Sequence, residues 1–137
     1  QILMNLVRNA SDATRKGGEI RVVTRRAGAT EVARLTEFAA QAGGAIRLEV
    51  ADSGVGMDAE VQAHLFEPFF TTKLPGEGTG LGLASVYGIV QQCGGAIQVE
   101  SAAGRGASFR VYLESAGLAP KSFPPTRPDG AACPPLA

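Results

Sequence analysis

Polar side chains recur at helical spacing near the start of the 137-residue chain. Asn5, Asn9, Asp12 and Lys16 are separated by four, three and four positions, so one face of a helix would carry all of them. Asparagine is a poor helix former, yet its amide oxygen can ligate Mg²⁺, which prefers oxygen donors and keeps substrate phosphates in its shell. The spacing therefore fits two interpretations, a solvated helix face and a magnesium site.

A carboxylate followed by glycines ends a predicted strand in the run DSGVGM. Asp52 would lie where the sheet stops, and Gly54 and Gly56 would let the backbone pass close to a flat ligand. Asp52 could accept a hydrogen bond from an exocyclic amine such as that of adenine, or it could form an Asx turn. The same glycines with Ala59 fit the loose G-x-G-x-x-A pattern of dinucleotide sites, but Pro68 ends the next helix too early for the βαβ unit that such sites need.

A second glycine-rich run, GEGTGLGL at 76–83, leads directly into an apolar helix. Successive backbone N–H groups in such a turn, followed by a helix N-terminus, form an anion site that suits a triphosphate. A flexible linker is the alternative, and the alternation of the glycines disfavours it. The run is not a Walker A loop, because no glycine in the chain is followed by lysine.

Between these runs lies LFEPFFTTK at 65–73, which holds three of the six phenylalanines. Phe66 and Phe69 are predicted to plug the core, whereas Phe70 would line a loop. Lys73 has two interpretations, a lysine that reaches a phosphate and an ordinary surface lysine. His64, the only histidine, is predicted to be a packed or surface residue rather than a catalytic one.

The elements that must position these residues follow from the hydrophobic pattern. Two long helices are predicted at 1–16 and 80–93, and a short one at 58–65. Strands are predicted at 19–25, 45–51, 96–100 and 108–113, with a long loop over 27–45 and an exposed loop over 71–79. This order indicates helices on one face of a mixed, mostly antiparallel sheet.

Composition excludes several classes of protein. Thirteen basic and thirteen acidic residues cancel, so charge gives no argument for binding nucleic acid or an anionic membrane. Cys93 and Cys133 form neither a disulfide framework nor a metal cluster, a reducing cytoplasm is expected, and Cys93 is predicted to be a small buried hydrophobe. Six of the eight prolines lie between Pro120 and Pro135, which predicts a linker or disordered tail over 115–137.

Five short motifs, taken in order, resemble those of one known family. They are an N box, a first glycine box, an F box, a second glycine box and a third glycine motif: QILMNLVRNASDA, DSGVGM, LFEPFFTTK, GEGTGLGLA and GRGASF. Over about residues 1–114, the chain resembles the catalytic and ATP-binding domain of sensor histidine kinases, of the GHKL superfamily. Its N and F boxes are similar to those of nitrogen-sensing and PAS-linked members.

The resemblance implies a Bergerat-type fold, an α+β two-layer sandwich with helices on one face of a mixed, mostly antiparallel sheet. Because the family's domain begins before the N box, and because the chain opens mid-pattern at Gln1, we expect an N-terminally truncated domain over 1–114. ATP and Mg²⁺ are the implied ligands. By motif position, the implied catalytic residues are Asn5, which supports the phosphate side, and Asn9, which holds the metal. The implied nucleotide-binding residues are Asp52, Gly54 and Gly56 at adenine, Lys73, and Gly78, Thr79, Gly80, Leu81 and Gly82 at the phosphates.

The implied activity is transfer of the γ-phosphate of ATP to a histidine on a separate dimerisation domain, with a response regulator receiver domain downstream. Related ATPases of the gyrase type carry a glutamate base where this chain has Asn5, so transfer is favoured over hydrolysis. No H box is present, His64 lies outside such a context, and Asp12 stands where many relatives have lysine. The alternative is a degenerate nucleotide-binding module that regulates a partner without transfer.

Overall fold

The computed structural model describes residues 1–35, 38 and 44–115. Its elements, in chain order, are α1 (Ile2–Ala13), β1 (Ile20–Arg26), α2 (Ala29–Ala33), β2 (Ala45–Asp52), α3 (Ala59–His64), α4 (Gly82–Gln92), β3 (Ala96–Ser101) and β4 (Ala107–Glu114). The predicted helices and strands are all present within a few residues of their predicted bounds. Helix α2 lies in the predicted loop, and the predicted tail over 115–137 lies outside the described residues except for Ser115.

Helix α1 ends three residues before its predicted end. Thr14 takes an extended backbone with ψ 128°, and both its N–H and its Oγ1 donate to the Ala10 carbonyl, at 3.0 and 2.6 Å. These two bonds close the last turn of the helix. Lys16 therefore does not share the helix face of Asn5, Asn9 and Asp12, and that part of the sequence prediction is wrong.

The sheet has four strands in the order β1-β2-β4-β3, and every described pairing is antiparallel. Side chains alternate between the two faces of a strand, so Val50 of β2 and its partner Phe109 of β4 face the same side. On that side they join the buried residues of α1 and α4 in the main core, which also includes Leu6, Ala10, Val86, Val90 and Val111. The predicted arrangement of a sheet with the long helices on one face is present.

The opposite face of the sheet is charged. Glu49 is only 5% exposed and forms ion pairs with Arg47 and Arg110, the second with Nε 3.0 Å from Glu49 Oε2. Helix α2 covers this face through Glu31, which accepts hydrogen bonds from Arg47 Nη1 at 2.7 Å and from the Tyr112 hydroxyl at 2.9 Å. A short helix that looked like loop in the sequence is thus fixed by partners from β2 and β4.

These contacts determine the charge state of Glu31. Burial alone would raise the pKa of this carboxyl, but hydrogen bonds from Arg47, Tyr112, Arg25 and the Gly28 N–H outweigh it and lower the pKa from 4.5 to about 2. The carboxylate therefore stays ionised over the physiological range, and its bonds tie α2 to the sheet.

Cys93 is exposed, so the prediction of a buried hydrophobe is wrong. Helix α4 ends at Gln92, and the chain turns at Gly94 with φ +66°. As a result Gly95, rather than Cys93, continues the buried face, with its N–H bonded to the Val90 carbonyl at 2.9 Å. Within the described ranges, no helix combines the length and hydropathy that crossing a membrane would need.

Candidate functional site

A cavity of about 540 Å³ opens between α1, the end of β2 and the segment that precedes α4. It brings together predicted site residues from four of the five motifs, namely the N box, the first glycine box, the F box and the second glycine box. The predicted site residues that line it are Asn5, Asn9, Asp52, Gly56, Lys73, Gly78, Thr79, Gly80 and Gly82. Gly54 and Leu81 were predicted with them but are not among the lining residues.

The N box and the second glycine box meet at the start of α4. Leu6 and Ala10 are buried in the core and anchor α1, so Asn5 and Asn9, which directly precede them, are held at the cavity wall. A Cβ placed on Gly82 would lie 3.8 Å from Asn5 Oδ1. The Asn5 amide therefore faces the N-terminus of α4, and Asn9 lines the same cavity.

Asp52 is the last residue of β2. Its Oδ1 accepts a hydrogen bond from the Gly54 N–H at 2.8 Å, which is the Asx turn considered as an alternative. The carboxylate nevertheless lines the cavity, beside Ala107, which is its partner in the strand register. The two interpretations of Asp52 are compatible, because the turn uses Oδ1 and fixes the side chain at the wall.

Gly54 lies where two segments of the protein pack closely, the end of β2 and the last turn of α1. A Cβ at this position would lie 2.3 Å from the Ala13 carbonyl oxygen, which also accepts a hydrogen bond from the Val55 N–H at 3.1 Å. Glycine thus lets the end of β2 pack against the last turn of α1. Gly56 lines the cavity but has φ +66°, and its Cβ would lie 2.0 Å from the Ala102 carbonyl oxygen, so this glycine admits the β3–β4 turn.

The loop over 71–79 is closed at its base by a backbone contact. The Phe69 N–H donates to the Gly80 carbonyl at 2.9 Å, and Gly80 has φ +66°. Phe69 itself has φ +65° and is 74% exposed, so the prediction that it plugs the core is wrong. The left-handed turn that pairs Phe69 with Gly80 directs its ring away from the core.

The other phenylalanines of the F box follow the prediction. Phe66 packs against the main core, with its ring centroid 5.2 Å from that of Tyr87. Phe70 lines the cavity at the start of the loop. His64 is exposed, as a surface histidine, with Nδ1 2.8 Å from Glu67 Oε1. The hydrogen bond to Glu67 raises the pKa of the His64 imidazole.

Lys73 and Asp12 form an ion pair from Nζ to Oδ2 across the cavity. Both residues line it, and they are 61 positions apart, so no spacing rule could have found the pair. Arg8 also lines the cavity and was missed. Its spacing of three and four from Asn5 and Asp12 placed it on the same helix face and would have revealed it.

The donor chemistry fits a hard cation held together with phosphates. Over the described part of the chain, no group of three or more His, Cys, Asp or Glu side chains could hold a metal ion. The cavity offers amide oxygens from Asn5 and Asn9 instead. Such a set leaves coordination positions to ligand phosphates and water, as Mg²⁺ requires.

Comparison with known proteins decides the family. Residues 1–117 match the model described as histidine kinase-, DNA gyrase B- and HSP90-like ATPase. The chain belongs to this family. Its relatives include the sensor kinase CckA of Brucella abortus, 44% identical over 113 residues that make up 82% of this chain and 12% of CckA. The sensor histidine kinase ZraS of Klebsiella oxytoca is also 44% identical over 113 residues, 82% of this chain and 21% of ZraS.

A third relative is the sensory histidine kinase/phosphatase NtrB of Rhodobacter capsulatus. It is 39% identical over 127 residues, which cover 90% of this chain and 32% of NtrB. The chain thus spans a third or less of the length of these kinases. The resemblance to sensor histidine kinases is confirmed for this segment.

Solved structures confirm the Bergerat-type fold class. The catalytic domain of histidine kinase ThkA matches with a TM-score of 0.62 and 31% identity, over 83% of this chain and 64% of that one. Full-length ShkA in complex with AMPPNP matches with a TM-score of 0.60 and 31% identity, over 85% of this chain and 22% of ShkA. Both are histidine kinases, the class that the five motifs predicted.

Proposed function

We propose that this chain binds ATP with Mg²⁺ in the cavity and transfers the γ-phosphate to a histidine on a separate dimerisation domain. The observation that carries the proposal is the meeting of Asn5 and Asn9, Asp52 and the second glycine box around one space of about 540 Å³. The ShkA structure with its bound ATP analogue supports the choice of ligand. A response regulator receiver domain would accept the phosphoryl group afterwards.

The cavity lining combines two chemically different sets of residues. The apolar residues Met57, Leu65 and Phe109, together with the Asp52 carboxylate, suit a base whose exocyclic amine donates to a carboxylate. Asn9, Lys73 and the glycine run suit phosphates. In this proposal adenine lies at Asp52, and the backbone N–H groups around Gly78 and Gly80 bind the phosphate chain.

Phosphoryl transfer needs positioning and charge neutralisation more than it needs acid–base chemistry. The bond from the γ-phosphorus to the bridging oxygen breaks, a bond to the acceptor imidazole nitrogen forms, and ADP leaves. Mg²⁺, when bound, neutralises charge that develops on the phosphate oxygens. Asn9 holds the metal in this scheme, and Asn5 orients the phosphate side. Since Asn5 offers no carboxylate to activate water, hydrolysis is disfavoured.

Binding and transfer are tested in sequence. Calorimetry with AMPPNP and Mg²⁺ should show one site on the wild-type chain, and Asn9→Ala should weaken it. Radiolabelled γ-phosphate of ATP should then appear on an added His-bearing dimerisation domain with the wild-type chain and not with Asn9→Ala. Gln92→Ala, at the exposed end of α4, is the matched control and should label normally.

The outcomes separate the alternatives. Binding without label on any dimerisation domain would leave the degenerate regulatory module. Steady release of inorganic phosphate in the absence of an acceptor would support an ATPase of the gyrase type. Unchanged labelling with Asn9→Ala would mean that the metal is held elsewhere.

A further inference from the structure

The ion pair between Asp12 and Lys73 lies inside the cavity assigned to the phosphates. Asp12 belongs to α1 and Lys73 to the loop over 71–79, and their side chains are 41% and 33% exposed. The stem of Lys73 runs past Gly78, where a Cβ would lie 2.8 Å from Lys73 Cδ. The Lys73 ammonium is thus directed to a carboxylate on the wall that also carries Asn9.

The charges that line the cavity determine what this ion pair means for an anionic ligand. Two cationic side chains, Arg8 and Lys73, face three carboxylates, Asp12, Asp52 and Glu77. The described lining is therefore formally acidic, although the proposed ligand is a polyanion. Phosphates that enter beside Gly78 meet Lys73 already paired with Asp12. They must compete for the ammonium, and they are repelled by the same carboxylate.

We propose that Asp12 is a positioning residue that competes with the phosphates of the nucleotide for Lys73 and thereby sets the affinity for ATP. The inference rests on the proposed function, because it requires a phosphate chain in this cavity. When nucleotide is absent, Asp12 holds Lys73 and ties loop 71–79 to α1. When phosphates bind, Lys73 transfers to them, and Asp12 recaptures it after they leave.

The test is a double-mutant cycle on the full chain, with Asp12→Asn, Lys73→Met and the combination. Calorimetry measures the affinity for ATP–Mg²⁺, with adenosine as the phosphate-free reference. Asp12→Asn should raise the affinity for ATP about two- to five-fold, the range expected for releasing one partner of an exposed ion pair. The affinity for adenosine should stay within about two-fold. Asp12→Glu keeps the carboxylate and should keep the wild-type affinity for ATP.

The decisive comparison is the gain in affinity for ATP that Asp12→Asn causes in the wild-type chain and in the Lys73→Met chain. If Asp12 competes for Lys73, the gain is larger in the wild-type background than in Lys73→Met, where only the direct repulsion is relieved. A gain that is equal or larger in Lys73→Met would overturn the proposal. Thermal unfolding of each variant shows whether it is folded, and both side chains are partly exposed, so small shifts are expected.

The same experiment distinguishes failure of this inference from failure of the proposed function. If the wild-type chain binds neither ATP nor adenosine, the cavity is not a nucleotide site and both proposals fail. If both ligands bind but the cycle shows no coupling of the expected sign, the nucleotide site stands and the role of Asp12 is refuted.

Discussion

Replacing Gly80 by alanine should release the base of loop 71–79 while the rest of the domain stays folded. Gly80 has φ +66°, a conformation that L side chains rarely adopt, and its Cβ would lie 2.4 Å from the Phe69 carbonyl carbon. The obstructing atoms belong to the backbone, so no side chain can rotate away. Either the chain moves at this point or the hydrogen bond from Phe69 to Gly80, 2.9 Å long, is lost.

The response to Gly80→Ala depends on the cost of keeping the strained alanine in place compared with the cost of losing the hydrogen bond. A left-handed backbone costs a non-glycine residue about 1–2 kcal/mol, and forcing a methyl group into packed surroundings costs about 1–3 kcal/mol more. Breaking one backbone hydrogen bond at a partly exposed site costs only about 1 kcal/mol. Release of the loop is therefore the cheaper response, and Gly80→Ala should disturb the cavity more than it disturbs global stability.

Proteolysis measures this release without any ligand. Trypsin cleaves after lysine, and Lys73 lies in the loop, so mass spectrometry can follow cleavage between Lys73 and Leu74 in the native chain. Gly80→Ala should increase the rate of this cleavage at least about five-fold, the factor that corresponds to 1 kcal/mol of local opening. The affinity for AMPPNP should fall by a similar factor or more.

Two other glycines of the same box are matched controls. Gly76 also has a positive φ, +88°, but a Cβ there meets nothing within 4 Å. Gly76→Ala should therefore cost only the strain of a left-handed backbone conformation, about 1–2 kcal/mol. Gly82 opens α4, and its Cβ would have ordinary contact at 3.8 Å, so Gly82→Ala should raise the free energy of unfolding by up to about 1 kcal/mol. If trypsin cleaves the Gly80→Ala variant no faster than the Gly76→Ala variant, the backbone contact with Phe69 does not close the loop.

Two further predictions concern the supports of the site. Glu31→Gln should lower the free energy of unfolding at pH 7. The lowering of the Glu31 pKa to about 2 corresponds to a stabilisation of at most about 3 kcal/mol. Because a partner as exposed as Arg25 (44%) is screened by solvent, we expect a loss of about 1–2 kcal/mol. This stabilisation is present above pH 4.5 and is lost as the pH falls towards 2, so urea unfolding of wild type and variant should converge there, and a constant difference would refute the assignment. Leu6→Ala should cost about 2–5 kcal/mol, since Leu6 is only 1% exposed, and because its helix carries Asn5 and Asn9 the affinity for AMPPNP should fall too. Urea unfolding and calorimetry check this, and wild-type stability would contradict it.

Local patterns predicted the parts of the fold that depend on neighbouring residues. The short helix predicted at 58–65 is present, and the Asp58 side chain caps it by accepting from the Val61 N–H at 2.8 Å, a common role for aspartate directly before a helix. Alternation predicted the strand that ends at Asp52 and hence one wall of the cavity. Motif order then placed Asn9 and Gly78 at the same site, although nothing local connects them.

Features that depend on distant partners could not be predicted in this way. The five residues of α2 are too few to show a period, and the helix is held by Glu31 through the Tyr112 hydroxyl, 81 positions away. Phe69 was assigned to the core by residue type, whereas its backbone conformation exposes it. The sequence left Lys73 with two interpretations, a lysine that reaches a phosphate and a surface lysine, and could not show its ion pair because the partner Asp12 belongs to another element.

Glycine in the glycine boxes can serve two purposes, close packing between segments of the protein and close approach of a ligand. Several of these glycines serve the packing. A Cβ at four of them would lie 1.9 to 2.4 Å from backbone atoms of distant segments: Gly54, Gly56, Gly80 and Gly106. Their absence of side chain lets α1, the F box and the two ends of the sheet approach one another and enclose the cavity. Gly76 has no such close contact but has a positive φ, +88°, which by itself favours glycine. Gly82 has neither a close contact nor a positive φ, so a need for glycine at Gly82 would have to come from the ligand. Alanine at the first group should therefore damage the empty protein, whereas any damage from alanine at Gly82 should appear only when nucleotide is bound.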